Sequence, residues 1–290
     1  MTLSEWKSKG TSYSYKGHDI FTIDEGYGEV VLAIHGFPTA SWDWEQMWGP
    51  LTTHYRVLTL DMIGFGFSDK PKKYPYSIFD QADLFEVFLE SKKVEKVKII
   101  SHDYGDTVAQ ELLARFQERK DSEQKGTEIE SICLLNGGLF PETHHPLLIQ
   151  KLLMSPIGQI VGKLMSRKKL GKNFQKIFGP NTQPSESELD DFWKLITYNE
   201  GKDVFHLLIR YMQERSENRK RWVGALQHAS IPLRLINGVV DPISGQHMAD
   251  RYKEIIPSPD VIELAKIGHF PLVEAPKTVM KHYMDFLNSN

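Results

Sequence analysis

Three short runs carry apolar residues on both faces of the strand pleat: Val30–Ile34, Val57–Leu60 and Val97–Ile100. A strand with one face in water alternates apolar and polar residues, whereas a strand of a parallel sheet is covered on both faces and reads as nearly continuous hydrophobicity. Parallel strands need long crossover connections, which are usually helical. These runs therefore constrain the chain to a layered α/β fold.

The rest of the pattern extends this sheet. Strands are also predicted at Ile129–Leu135, Leu233–Gly238 and Val261–Leu264, and helices at Ile78–Leu89 and Thr278–Leu287. Strands that alternate with helices indicate a mostly parallel, doubly wound sheet. Thr11–Tyr15 and Ile20–Ile23 alternate more clearly and predict an antiparallel hairpin at one edge.

A long interruption, residues 140–228, separates the strand predicted to end at Leu135 from the next one. It contains helical patterns at Leu147–Leu153 and Val204–Ile209, and Ser185–Glu188 resembles a capping box. We expect a core of residues 1–139 and 229–290 with a helical cap of residues 140–228. Such an insertion covers the carboxyl ends of the strands, where an open α/β sheet binds its ligands.

Composition excludes several functional classes. The net charge of −3 gives no reason to expect nucleic acid as a partner, and the clusters Arg167–Lys169 and Arg219–Arg221 are interpreted as solvated faces. The single cysteine, Cys133, excludes an internal disulfide, and no Cys or His cluster suggests a metal. No segment approaches the ~20 apolar residues of a membrane span. We expect a soluble, cytoplasmic protein; a chain trimmed of a targeting segment would look the same.

The most informative motif follows the strand that ends at Ile100. A nucleophile elbow requires small residues two before and two after the reacting side chain, because strand and helix crowd together there. Centred on Asp103, these positions are Ser101 and Gly105, and both fit; centred on Ser101, they are Ile99 and Asp103, which are too bulky. The alternative is that Asp103 only caps the following helix. An aspartate nucleophile predicts displacement at a saturated carbon rather than acyl transfer.

Two further residues complete a catalytic set in the order nucleophile, acid, histidine. Asp241 follows the strand Leu233–Gly238, and His269 follows the final strand. His269 would activate water against an alkyl–enzyme ester, and Asp241 would orient it. The loop after Val30–Ile34 nominates the backbone N–H groups of Phe37 and Tyr104 as an oxyanion hole. The Phe37–Pro38 bond is a candidate cis peptide.

These loops resemble the epoxide hydrolase and haloalkane dehalogenase branch of the α/β-hydrolase superfamily. The longer segments Asp61–Pro71, Ser101–Asp106, Asn136–His144, Pro184–Leu189 and Arg221–Leu226 resemble the mesoderm-specific transcript family across nearly the whole chain. The resemblance implies an α/β-hydrolase fold with an inserted helical cap, no cofactor, no metal and the triad Asp103, Asp241 and His269. It does not define a substrate.

The resemblance also bears on the leaving group. Dehalogenases of this branch bind the departing halide with side-chain N–H groups, which Tyr104 and Phe37 cannot supply. Epoxide hydrolases use cap tyrosines to donate to the departing oxygen, and Tyr211 and Tyr198 are the candidates here. The favoured function is hydrolysis of a small apolar epoxide to a diol. A haloalkane dehalogenase-like enzyme, an ester or lipid hydrolase and a non-catalytic ligand-binding protein remain alternatives, and the oligomeric state is open.

Overall fold

The computed structural model describes residues 1–289, and its central element is one eight-stranded sheet. In sequence order the strands are β1 Thr11–Tyr15, β2 His18–Glu25, β3 Val30–Ile34, β4 Arg56–Leu60, β5 Lys96–His102, β6 Glu128–Leu135, β7 Leu233–Gly238 and β8 Val261–Leu264. Their spatial order is β1-β2-β4-β3-β5-β6-β7-β8. From β4 to β8 all neighbours are parallel, so the predicted mostly parallel sheet is confirmed.

The antiparallel edge is also confirmed. β1 pairs with β2 from Thr11 opposite Thr22 to Tyr15 opposite His18, and β2 pairs antiparallel with β4. The predicted second strand, Ile20–Ile23, is the buried centre of β2. In the middle of the sheet, β3, β4 and β5 are buried almost throughout, as their continuous hydrophobicity requires.

Helices flank the sheet and fill the long interruption. The α-helices are α1 Leu3–Lys9, α2 Glu45–Thr52, α3 Ile78–Ser91, α4 Tyr104–Asp121, α5 Leu148–Met154, α6 Gly158–Lys163, α7 Arg167–Ile177, α8 Glu186–Thr197, α9 Phe205–Leu208, α10 Tyr211–Glu217, α11 Arg219–Gln227, α12 Gln246–Ile255, α13 Pro271–Glu274 and α14 Pro276–Asn288. Short 3₁₀ helices occupy Ser41–Trp44, Pro141–Thr143 and Tyr198–Asp203. No helix within residues 1–289 is long and apolar enough to cross a membrane.

Between β6 and β7 the described chain is helical, with α5 to α11 in this interval. The predicted capping box is present at the start of α8: the Ser185 side chain accepts from the Glu188 N–H, and Glu188 accepts from the Ser185 N–H at 2.8 Å. Arg221, expected to be solvated, instead bonds the Glu111 carboxylate of α4 through Nε at 2.7 Å. One inserted helix is thereby tied to the core.

Candidate active site

Asp103 occupies the sharp turn between β5 and α4. Its backbone has φ 47° and ψ −103°, a conformation that non-glycine residues rarely adopt, and its side chain is buried. Backbone strain of this kind persists only where the surrounding structure holds it, and it concentrates at functional sites. The elbow is crowded as predicted, because a Cβ on Gly105 would lie 2.6 Å from the carbonyl oxygen of Ile34.

The predicted oxyanion loop lies against this turn. The Phe37 N–H donates to Oδ2 of Asp103 at 3.1 Å, and the Phe37–Pro38 peptide is cis. Tyr104 is the first residue of α4, so its N–H belongs to the end of the helix whose donors have no intrahelical acceptor. The loop thus contacts Oδ2 of the Asp103 carboxylate and not Oδ1.

His269 faces that second oxygen. Its Nε2 lies 3.9 Å from Oδ1 of Asp103, and its Nδ1 lies 2.7 Å from Oδ2 of Asp241. Burial disfavours the imidazolium, but the Asp241 carboxylate outweighs burial and, with Asp103, raises the His269 pKa to about 9. The structure therefore brings the three residues of the predicted triad into one buried chain of contacts.

A set of donors fixes the Asp241 carboxylate. Oδ1 accepts from the Ile243 N–H at 2.8 Å, while Oδ2 accepts from the Ser244 hydroxyl at 2.8 Å and the Asn136 amide at 3.1 Å. Burial alone would raise the Asp241 pKa, but His269 and these donors hold it below its ordinary value. The sequence analysis did not assign Asn136. Its position directly after β6, next to the strand that leads to Asp241, is the signal that would have found it.

Arg215 is the second residue that the sequence analysis missed. This buried side chain of α10 donates through Nη2 to the Asp103 carbonyl oxygen at 3.0 Å and through Nε to the Thr107 hydroxyl at 2.7 Å. Nη2 is also 3.8 Å from Oδ1 of Asp103. The signal was its spacing: residues four apart share one helix face, and Tyr211 was already a candidate for the site.

The two candidate tyrosines lie in different surroundings. Tyr211 is buried, with its ring centroid 4.7 Å from that of Tyr104 and 4.4 Å from Cζ of Arg215. Burial, and then the Asp103 charge, raise the pKa of its phenol, which stays protonated as a donor. Tyr198 instead packs on Phe67, with the Lys7 ammonium 4.6 Å from its ring centroid.

Of the histidines outside the triad, His35 and His102 have structural hydrogen bonds, whereas neither ring nitrogen of His144 has a hydrogen-bond partner. His35 Nε2 accepts from the Met62 N–H at 3.0 Å, and His102 Nε2 lies 2.8 Å from the His269 carbonyl oxygen. At the start of the interruption, burial and the adjacent Arg215 charge lower the His144 pKa to about 3, so this ring is neutral. His145 stacks on His247 with centroids 4.3 Å apart.

Ser101 and Cys133 are both enclosed. The Ser101 hydroxyl donates to Oδ1 of Asp106 at 2.6 Å, and burial raises the pKa of that carboxyl well above its ordinary range. Cys133 is a buried free thiol in β6. No group of three or more His, Cys, Asp or Glu among residues 1–289 is arranged to hold a metal ion.

A small cavity of about 60 Å³ lies against Asp103 and His269. Its wall is mostly apolar and comes largely from the inserted helices and the loop before them: Leu147, Ile149, Gln150, Leu153, Met165, Leu170, Asn173, Phe174, Ile177 and Phe205. Phe37, Pro38 and Ile243 complete it. The Asp103 carboxylate and the His269 imidazole therefore line a mostly apolar cavity, as polar groups do in ligand-binding sites.

Residues 29–276 match the family described as alpha/beta hydrolase fold. The chain is 43% identical over 298 residues to the mesoderm-specific transcript homolog protein of Bos taurus, in an alignment that covers 99% of this chain and 88% of that protein. The chain therefore belongs to the alpha/beta hydrolase fold family. Its similarity to the mesoderm-specific transcript proteins confirms the resemblance seen in the sequence.

More distant relatives are named for different reactions. The cis-3-alkyl-4-alkyloxetan-2-one decarboxylase of Shewanella oneidensis is 25% identical over 289 residues, covering 94% of this chain and 86% of that protein. The structure of the haloalkane dehalogenase DatA from Agrobacterium tumefaciens superimposes with a TM-score of 0.82 at 17% identity, covering 97% of this chain and 96% of that one. The latter likeness shows the fold.

Proposed function

We propose that the protein is a cofactor-independent hydrolase in which the Asp103 carboxylate forms a covalent alkyl–enzyme ester, with epoxides as the favoured substrates. The carrying observation is the shared environment of that carboxylate: Phe37 N–H on Oδ2 at 3.1 Å and His269 Nε2 at 3.9 Å from Oδ1. A carboxylate held this way can attack a saturated carbon, and the imidazole is placed to act on the resulting ester.

In the first step, Oδ1 of Asp103 bonds to an epoxide carbon, the carbon–oxygen bond breaks, and the oxygen takes the Tyr211 proton. The Tyr211 hydroxyl suits this role because its proton has no acceptor among the described residues, although the group is buried. A buried donor without an acceptor calls for an explanation, and a substrate oxygen would supply one. The product of this step is a hydroxyalkyl ester of Asp103.

In the second step, water gives a proton to His269 Nε2 and attacks the ester carbonyl carbon. The N–H groups of Phe37 and Tyr104 would stabilise the oxyanion that forms there. Collapse of the oxyanion releases the diol, whose oxygen takes the proton from His269, and the remaining proton returns to Tyr211. The net change is the addition of one water to the epoxide, with every side chain restored.

The alternatives have weaker support. Ester hydrolysis through Ser101 would need a free hydroxyl, but this one is committed to Asp106 inside the sheet. The haloalkane dehalogenase neighbour, at 17% identity, supports only the fold. The oxetan-2-one named for the Shewanella oneidensis relative is a strained oxygen ring like an epoxide, which justifies its inclusion among the compounds tested.

The decisive experiment uses His269→Gln, because loss of the base should block ester hydrolysis while Asp103 can still attack. The variant is incubated with separate pools of epoxides, haloalkanes and oxetan-2-ones, and its intact mass is recorded. We expect a mass increase with epoxides that peptide mapping locates at Asp103. The size of the mass increase identifies the compound. An epoxide adds its complete mass to the protein, whereas a haloalkane adds its mass without the halide.

Two aspartate variants from the same turn provide the matched comparison. In the His269→Gln background, Asp103→Asn should abolish the adduct. Asp106→Asn should retain it, since the buried Asp106 carboxyl accepts from the Ser101 hydroxyl and the Leu135 N–H, and neither is a reacting group. An adduct that persists in Asp103→Asn would contradict the proposed nucleophile. Saturable ligand binding without turnover or adduct would favour the ligand-binding alternative.

A further inference from the structure

One face of the inserted helices exposes a concentration of large apolar side chains. Leu148 is 72% exposed, Ile160 60% and Leu164 63%. Together with Leu152, Met154 and Ile157 they form what we call the apolar cap face, built from α5, α6 and the residues around them. Monomeric proteins rarely leave such side chains clustered in water unless the surface has an interaction partner.

This face is continuous with the catalytic cavity. A groove of about 440 Å³ runs between α5, α6 and α7, and Leu148, Leu152 and Leu164 line it. Four residues line both the groove and the cavity beside Asp103: Leu147, Ile149, Met165 and Asn173. The cavity alone holds about 60 Å³, whereas ligand pockets usually hold roughly 300–1,000 Å³. A larger substrate must therefore part the walls, and the four shared residues form the wall between the cavity and the groove on the apolar cap face.

The sequence segment that forms this face carries only positive charge. Residues 143–185 contain seven Lys and Arg and no Asp or Glu. Subtracting this +7 from the chain total of −3 leaves −10 for the remainder. Arg167 is paired with Glu186 and Asp190 of α8. Within residues 1–289, no carboxylate pairs with any of the six lysines, Lys151, Lys163, Lys168, Lys169, Lys172 and Lys176.

We propose that the apolar cap face docks on the surface of an anionic phospholipid bilayer. Apolar side chains of such a surface enter the boundary between headgroups and acyl chains, while basic side chains reach the lipid phosphates. Lysine suits this position because its apolar stem lies along the membrane while its ammonium reaches the headgroups. The negative remainder of the protein would be repelled by the same lipids, which orients the cap towards the bilayer.

The charge pattern also favours a bilayer over a second copy of the chain. A symmetric dimer through this face would place two lysine-rich segments against each other, and like charges across an interface are unfavourable. An anionic lipid surface neutralises the same charges. Docking would bring the groove to the acyl region, so an apolar substrate could enter the cavity from the membrane. That delivery step rests on the proposed function, whereas docking itself does not.

Vesicle cosedimentation tests the docking directly. The 290-residue protein is mixed with phosphatidylcholine vesicles that contain, or lack, about one-third phosphatidylserine, in about 0.1 M salt. We expect binding to the anionic vesicles and at least about tenfold less to the neutral ones. The variants Leu148→Ser/Ile160→Ser and Lys168→Glu/Lys172→Glu should each reduce partitioning at least about tenfold. All four residues are exposed, so the fold should tolerate these changes.

Matched controls change exposed residues elsewhere: Tyr27→Ser/Val87→Ser for apolar surface and Lys125→Glu/Lys220→Glu for charge. Both should partition like the unmodified protein. Equal loss in these controls, equal binding to neutral vesicles, or no binding would overturn the proposal, as would concentration-dependent dimers that Leu148→Ser/Ile160→Ser abolishes. Asp103→Asn should bind vesicles normally, so failure of the proposed chemistry and failure of docking give different results.

Discussion

The guanidinium of Arg215 donates a hydrogen bond to the main-chain carbonyl oxygen of Asp103, with Nη2 3.0 Å from that oxygen. Asp103 lies at the turn between β5 and α4, whereas Arg215 lies in α10, within the helical insertion. A second bond, from Nε to the Thr107 hydroxyl, fixes the guanidinium plane. One buried side chain therefore couples the position of the insertion to the geometry of the carboxylate.

Replacing Arg215 should slow formation of the alkyl–enzyme ester. Arg215→Met removes the charge and both hydrogen bonds, while Arg215→Lys keeps the charge but lacks the planar fork. Because small displacements of reacting groups carry large kinetic costs, we expect losses on the order of 10²-fold for Arg215→Met and less for Arg215→Lys. Rapid quenching followed by intact mass, in the His269→Gln background, measures this step. Exposed Arg210→Met is the control, and an unchanged rate in Arg215→Met would contradict the assigned positioning role.

The pKa of His269 should depend on the Asp103 charge. Burial lowers this pKa, but the Asp241 and Asp103 carboxylates raise it to about 9. Asp103→Asn removes one of these negative charges and should lower the pKa, as should esterification of Asp103 during turnover. His269 must be neutral to accept a proton from water, so ester hydrolysis should accelerate as pH rises through its pKa in the intermediate.

NMR titration of the His269 ring nitrogens in the unmodified protein and in Asp103→Asn measures this shift. Asp106→Asn is the control and should leave the His269 pKa unchanged, because the carboxylates that raise this pKa are those of Asp241, Asp103 and Glu274. The decay of the ester in single-turnover experiments should have its inflection below the pKa of the free protein. An inflection at or above that value would contradict the proposed electrostatic coupling.

The sequence predicted the sheet well, and it nominated three site residues that the structure brings together, because both predictions depend on local patterns. Continuous hydrophobicity predicted β3. The small residues Ser101 and Gly105 on either side of Asp103 predicted the tight turn, because strand and helix leave little space there. For Arg215 the spacing from Tyr211 indicates only a shared helix face and cannot show that the side chain is buried. A charged residue in an amphipathic helix is usually solvated, and only the packing of α10 on the elbow buries it. Tertiary placement, rather than local pattern, decides its role.

Helix α1 shows the same limit. Its seven residues are too few to predict a helix with confidence from periodicity, since isolated short helices are marginal in water. It is stabilised by packing: Trp6 is fully buried, its indole N–H donates to the Ser41 hydroxyl at 3.3 Å, and its ring packs on Trp48. These partners are more than thirty residues away in sequence, so the helix depends on contacts that a local pattern does not contain.

Stability should fall in mild acid partly because of His102. Burial lowers the pKa of His102 to about 4 in the folded protein. In the unfolded chain the imidazole binds a proton below its ordinary pKa of 6.5, so protonation between these two values favours unfolding. The contribution is present above pH 6.5 and is lost as pH falls towards 4. It should remove about 2 kcal/mol between pH 7 and pH 5. Urea unfolding of His102→Gln should show a smaller decrease in the free energy of unfolding between pH 7 and pH 5. Exposed His54→Gln should retain the full loss, and equal slopes would refute the assignment.

Asn136 should support turnover through Asp241. Its amide donates to Oδ2 of Asp241 at 3.1 Å, and its backbone has φ 44°. Asn136→Ala and Asn136→Gly both lose the donor, so both should reduce turnover. Only alanine adds backbone strain, which should make Asn136→Ala less stable than Asn136→Gly by roughly 1–2 kcal/mol. Steady-state kinetics and urea unfolding of the two variants separate these effects; equal stabilities would show that the strain is not retained.

The two candidate tyrosines allow a test of epoxide opening itself. Tyr211 is buried against Tyr104 and Arg215 with a protonated hydroxyl that lacks an acceptor, whereas Tyr198 packs on Phe67 and Lys7. Tyr211→Phe should therefore slow ester formation with an epoxide by roughly 10²–10⁴-fold, the usual contribution of a general acid. Tyr198→Phe should change it little. With a haloalkane, whose leaving group needs no proton, Tyr211→Phe should have a much smaller effect. Equal losses with both substrate classes would assign Tyr211 a packing role, because disturbed packing cannot distinguish an alkoxide from a halide.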